Sequence, residues 1–91
     1  MTAINEIRDL LELHVGRRVR IIYDLGRSKN VKYFATITGC YPNVFSARVE
    51  LKRGRTRMMS YSYVDVLTGV VQLFEVDTGE QISMSSQGEL L

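Results

Sequence analysis

Only two side chains in this sequence offer a thiol or an imidazole, His14 and Cys40. Nucleophilic catalysis would need the histidine beside a nucleophile in a recognisable frame, and no GxSxG or comparable motif occurs. Zinc would need three or four ligands of these types, and the chain holds one of each, far apart. His14 is expected to close a helix, favoured there by the dipole or half-buried at the helix edge. Cys40 is expected to be a small core residue in a strand rather than a reactive thiol. Gly26–Asn30 (GRSKN) is a basic loop without the GxxxxGK[ST] spacing, and a strand rather than a helix follows it. From these residues we expect no enzyme, no cofactor and no metal.

The remaining chemistry is electrostatic. The 91 residues carry a net charge of +2, which hides an asymmetry. Residues 16–57 hold eleven bases against two acids (Asp24 and Glu50), a local balance of +9, whereas residues 58–91 hold five acids and no base. Bases and tyrosines interleave through Arg17, Arg18, Arg20, Tyr23, Arg27, Lys29, Lys32 and Tyr33, then Arg48, Lys52, Arg53, Arg55 and Arg57. We take Arg17, Arg18, Arg20, Arg27, Lys29, Lys52, Arg53, Arg55 and Arg57 as a candidate binding patch. Arginine clusters fork onto phosphate and tyrosines stack on bases. Three readings stay open: a nucleic-acid contact, an acidic protein partner, and a solvated face that only keeps the chain soluble.

These residues must be positioned by a small number of elements. Ile4, Ile7 and Leu11 at i, i+3, i+7 predict an amphipathic helix over residues 3–14, with Thr2 as its cap and Gly16 as its stop. The period then becomes two. Strands are expected through Val19–Asp24, Val31–Tyr41, Val44–Leu51, Thr56–Ser60 and Val70–Val76. Leu25–Asn30 reads as a loop, Lys52–Arg55 as a tight basic turn, and Gly39 as a bend or bulge within its strand. Tyr61–Gly69 looks too short for a full helix. One helix followed by five strands, with nothing helical to cross over, excludes a parallel α/β fold. The expected fold is mainly β: an N-terminal helix and a strongly bent five-stranded antiparallel sheet, closing as a small SH3-like or Sm-like barrel over residues 17–76. A further strand is expected near 80–84 and a frayed tail over 85–91, all in a single domain over residues 1–91. No run approaches the ~20 apolar residues of a membrane helix. The N-terminus shows no basic region leading into an apolar run, and one cysteine cannot pair internally. The expectation is a cytoplasmic protein that does not enter membranes.

Two aromatic motifs stand out: Tyr41, Pro42 and Asn43 leading to Phe45, and Ser60, Tyr61, Ser62 and Tyr63 leading to Asp65. Local structure explains both without a ligand. Pro42 breaks a strand ladder, and the serines can bond neighbouring backbone in a tight turn. In this order, YPNVF and SYSYVDVLT resemble the Veg family of biofilm formation stimulators. The basic turn at Gly26–Lys29 and the Gly16–Val19 segment are similar as well. The resemblance implies a non-enzymatic regulator that promotes extracellular-matrix gene expression by opposing a transcriptional repressor. It brings no assigned binding residue. The implied partner is a transcriptional regulator or another protein, and the alternative is RNA or DNA on the basic segment. Val71 and Leu73 alternate with Val70, Phe74 and Val76, so the last strand is apolar on both faces. A homodimer built from that strand and the helix is therefore expected.

Overall fold

The computed structural model describes residues 3–83. The Thr2 cap, Met84 and the 85–91 tail therefore lie outside the described residues. Helix α1 spans Ala3–Glu12 and buries Ile7 and Leu11. It stops before His14. The Leu13 and His14 N–H groups bond back three residues, to Leu10 O and Leu11 O at 3.2 and 2.9 Å, tightening the last turn. The Gly16 N–H then donates to Ile37 O at 2.7 Å, and the Ile37 N–H donates to Arg17 O at 3.2 Å. These two bonds fasten the helix to the sheet.

The strands are β1 (Arg18–Gly26), β2 (Lys29–Cys40), β3 (Val44–Glu50), β4 (Thr56–Ser62) and β5 (Val71–Glu75). They form one antiparallel sheet in the order β4-β3-β2-β1-β5. Alternation sends Val19, Ile21, Ala35, Ile37, Phe45, Ala47, Val49, Tyr61, Val71 and Leu73 to one buried face, where Ile7 and Leu11 join them. The register slips between Ile37 and Gly39, so the bulge expected at Gly39 is present and bends β2. A Cβ at Gly39 would come within 3.0 Å of the Tyr41 hydroxyl, so the tyrosine ring occupies the space a side chain would need.

Three sequence expectations change. First, Leu25–Asn30 is not a loop: β1 and β2 run on to Gly26 and Lys29, and Arg27 and Ser28 alone turn the chain. Both have positive φ (54° and 63°), as a type I′ hairpin demands, although the sequence lacks the Asn-Gly signature of that turn. Asp24 helps by accepting the Gly26 N–H at 2.7 Å. Second, the segment after β4 holds a six-residue helix, α2 (Tyr63–Thr68). Ser62 caps it by accepting the Val64 N–H, and Gly69 ends it at φ 87° in the left-handed region. Third, the sheet bends strongly but does not close. β4 and β5 are its two outer strands and share no ladder. Helix α2 fills the gap with Tyr63 and Val66, and the Tyr61 ring meets Tyr23 edge-on at 6.3 Å across the concave face. The free edge of β5 is covered from within the chain. The Ile82 N–H donates to Leu73 O at 2.7 Å and the Glu75 N–H to Glu80 O at 2.8 Å, so the strand expected near 80–84 is reduced to one bridge, Phe74 to Gln81.

Phe45 and Tyr63 are both fully buried, with ring centroids 5.9 Å apart. Phe45→Ala is expected to cost about 3–5 kcal/mol in urea denaturation. Tyr63→Phe is expected to cost about 1 kcal/mol, the worth of one hydrogen bond. Burial pushes the Tyr63 phenol up to about 12 from its ordinary 10.0. The unfolded chain releases this proton first. The stabilisation is therefore complete below pH 10.0 and is lost as pH rises toward about 12. Tyr63→Phe should remove that part of the alkaline dependence, measured as the denaturation midpoint against pH.

Candidate basic interface

Strand direction sorts the charges. The β1–β2 turn at Arg27–Ser28 and the β3–β4 turn, a 3₁₀ segment at Lys52–Gly54, lie at one end of the sheet. The β2–β3 turn at residues 41–43, the start of β1 and the end of β5 lie at the other. Arg27 and Lys29 thus lie at the β1–β2 hairpin tip, and Lys52, Arg53 and Arg55 at the β3–β4 turn, at the same end of the sheet but at different heights, since β2 pairs with β3 only from Ala35. Arg17 and Arg18 lie toward the helix end, where α1 brings Glu6, Asp9 and Glu12, and β5 with the turn after it brings Glu75, Asp77 and Glu80. All three non-glycine residues with positive φ among the described residues, Arg27, Ser28 and Arg53, fall in the two basic turns. At Arg27 and Ser28 this is the backbone that a two-residue hairpin turn requires.

The outer face of the sheet supplies what the sequence reading missed. The register sets Met58, Arg48, Thr36 and Arg18 in one row; in the next, Phe34 pairs with Arg20 and Phe74 lies beyond it on β5, while Glu50 pairs with Thr56. Phe34 is 40% exposed and Met58 57%, both on the face expected to be polar. The signal was available: Phe34 is out of phase with its apolar neighbours Tyr33 and Ala35. The Arg18 guanidinium lies 4.3 Å from the Phe34 ring centroid and donates two hydrogen bonds to Glu50, at 2.8 and 2.9 Å. Those bonds hold Glu50 below the usual carboxylate range. Arg18 is thereby engaged within the chain, while Arg20 and Arg48 are exposed beside it. Arg57 shares the inner register of Met59 on the edge strand β4, yet is exposed. An inward-pointing charge of this kind discourages edge-to-edge pairing.

The two aromatic motifs meet each other. Val44 pairs with Ser62 and Phe45 with Tyr61 across the ladder, and the Phe45 and Tyr61 rings lie 5.6 Å apart. The Tyr41 N–H is shared between Val44 O at 2.8 Å and the Tyr63 hydroxyl at 3.1 Å, and the Tyr63 N–H donates to Asn43 O at 3.3 Å. Phe45, Tyr61 and Tyr63 are therefore core, Ser62 is a helix cap, and Asp65 sits in the first turn of α2, where the dipole favours an acid. Tyr41, Pro42, Asn43 and Ser60 are exposed. Cys40 is half-buried beside Tyr63, and burial pushes its thiol up, away from thiolate.

At the helix end, His14, Arg17, Arg18, Glu75 and Asp77 line a cleft of about 320 Å³. His14 is buried rather than half-exposed. Its Nδ1 lies 3.0 Å from Leu10 O and its Nε2 2.9 Å from Glu75 Oε2, so both ring nitrogens face acceptors. The His14 bond, then the Thr78 hydroxyl at 2.8 Å, hold the Glu75 carboxyl below its ordinary range. A carboxyl lowered by folding stabilises above its unfolded value, and that contribution is lost as pH falls through the folded one. Glu75→Gln should lower the melting temperature at neutral pH. The difference from the parent should begin to shrink as pH falls below the ordinary carboxylate value of about 4.3 and vanish only at lower pH, once the folded Glu75 carboxyl is itself protonated.

Among the described residues no group of three His, Cys, Asp or Glu side chains is arranged to hold a metal ion. None of the helices described is long and apolar enough to cross a membrane. No curated protein matches the chain. The model of the family described as biofilm formation stimulator VEG matches residues 2–74, which takes in α1, all four long strands, both aromatic motifs and most of β5. The chain belongs to the VEG family of biofilm formation stimulators.

Proposed function

We propose that the protein is a non-enzymatic regulator that promotes matrix-gene expression by binding a protein, in the first instance a transcriptional repressor that it opposes. One observation carries this reading: the outer sheet face displays exposed Phe34 on β2, flanked by Arg48 on β3 and Arg20 on β1, with exposed Met58 beside Arg48 on the edge strand β4. Aromatic residues, methionine and arginine are the types enriched in protein interfaces, and a rigid sheet presents them without an ordering cost. Two cationic side chains beside an apolar centre suit a partner with an acidic rim.

The test is affinity capture from nuclease-treated lysate. A specific protein is expected to remain bound, and Phe34→Ser combined with Arg20→Glu should release it and lower expression of a matrix-gene reporter. Capture that disappears on nuclease treatment would transfer the reading to RNA or DNA. The homodimer proposed from the last strand would use Phe74 and Val76 on its outer side, since the β5 edge is already covered. Light scattering should then report about twice the chain mass, falling toward one chain mass in Phe74→Glu.

A further inference from the structure

We propose that the cleft between β2 and the β3–β4 turn is a binding site for a nucleotide unit, with the base on Tyr33 and the phosphate on Lys52 and Arg55. The cleft follows from a mismatch in strand length. β2 begins at Lys29, but its pairing with β3 begins only at Ala35. The Lys29–Phe34 half of β2 has no strand partner on the β3 side. There β3 ends, and the chain folds away through Lys52–Gly54. The opening holds about 510 Å³ and is lined by Lys32, Tyr33, Glu50, Leu51, Lys52 and Arg55.

The lining divides by chemistry. Tyr33 and Leu51 are half-buried and supply an apolar wall. The Tyr33 backbone is fixed opposite Ile21 and its side chain packs partly against the core, which presents an aromatic surface beside the opening. Base–aromatic stacking asks for such a surface, and accepts any base. Lys32, Lys52 and Arg55 are exposed cations at the mouth. The single acid, Glu50, has both carboxylate oxygens occupied by Arg18 from the outer face. Its charge is answered there, leaving the cations in excess. An inorganic anion has no use for the apolar wall. A phosphorylated base uses both the wall and the cations. A free nucleotide and a unit of a single strand share this chemistry.

Fluorescence titrations at low and moderate salt would test the site. The probes are ATP, a short fluorescein-labelled oligouridylate, and pyrophosphate as an anion without a base. Saturable binding of ATP alone assigns the site to a free nucleotide, and of the oligomer alone to a strand; either supports it. Tyr33→Leu should weaken binding about tenfold with an unchanged salt slope. Lys52→Ala with Arg55→Ala should weaken it and, for the oligomer, reduce the slope by about two charges. Arg27→Ala with Lys29→Ala removes the same charge from the hairpin tip and should matter less than threefold, about half a log unit. Should Tyr33→Leu fail to fold, Tyr33→Phe keeps the ring and should bind, and the surface pair still reads the phosphate contact. The proposal is overturned if neither nucleotide probe binds, if pyrophosphate binds as well as ATP, or if the tip pair costs as much as the cleft pair.

Discussion

The arrangement depends on one buried contact, the docking of Tyr63 under the β2–β3 turn. Its hydroxyl takes the Tyr41 N–H and its own N–H reaches Asn43 O, so a single residue stitches the end of β4 to the turn that joins β2 and β3. Its ring packs on Phe45, which packs in turn on Tyr61. Without this junction α2 would have nothing to anchor its first turn, and the gap between β4 and β5 would open onto the core. The bulge at Gly39 belongs to the same device. It bends β2 and leaves room for the Tyr41 ring where a side chain would stand. Two segments that look like separate motifs along the chain are therefore one joint in space.

That joint lies at the helix end, and it leaves the other end free. There the two hairpin turns carry bases; the acids beside them are Asp24, which takes the Gly26 N–H, and Glu50, which Arg18 already holds. The helix end gathers the acids of α1 and of the turn after β5, with His14 answering Glu75. The result is a molecule with one stapled end and one open, cationic end. A net charge of +2 does not convey this polarity, because the opposing blocks cancel in the sum but not in space.

The unclosed sheet has a physical cause in the same region. Six residues of helix between β4 and β5 span more width than a bare turn, and Tyr63 and Val66 fill the space that a β4–β5 ladder would otherwise close. The β5 edge is paired instead by residues 80–82. An edge capped in this way is protected from association with other strands, and the inward Arg57 on β4 protects the opposite edge by charge.

The N-terminal helix, the five strands and their sequence order, the Gly39 bulge and the core alternation were legible along the chain, because period-two and period-3.6 patterns encode which side of an element is buried. The tight Arg27–Ser28 hairpin was not, because its turn residues lack the local signature and register from both flanking strands imposes the positive φ. The six-residue α2 was not, because a helix that short has little intrinsic stability and exists through its Ser62 cap and its packing. Likewise, pairing His14 with Glu75 and setting Phe34 beneath Arg18 each join residues distant in sequence, so no local pattern can announce them. The sequence by itself determined which faces are apolar, where the bases lie along the chain, and which family it belongs to. Only the tertiary structure decided which bases are free and which are paired, because that depends on strand register, a property of two segments at once.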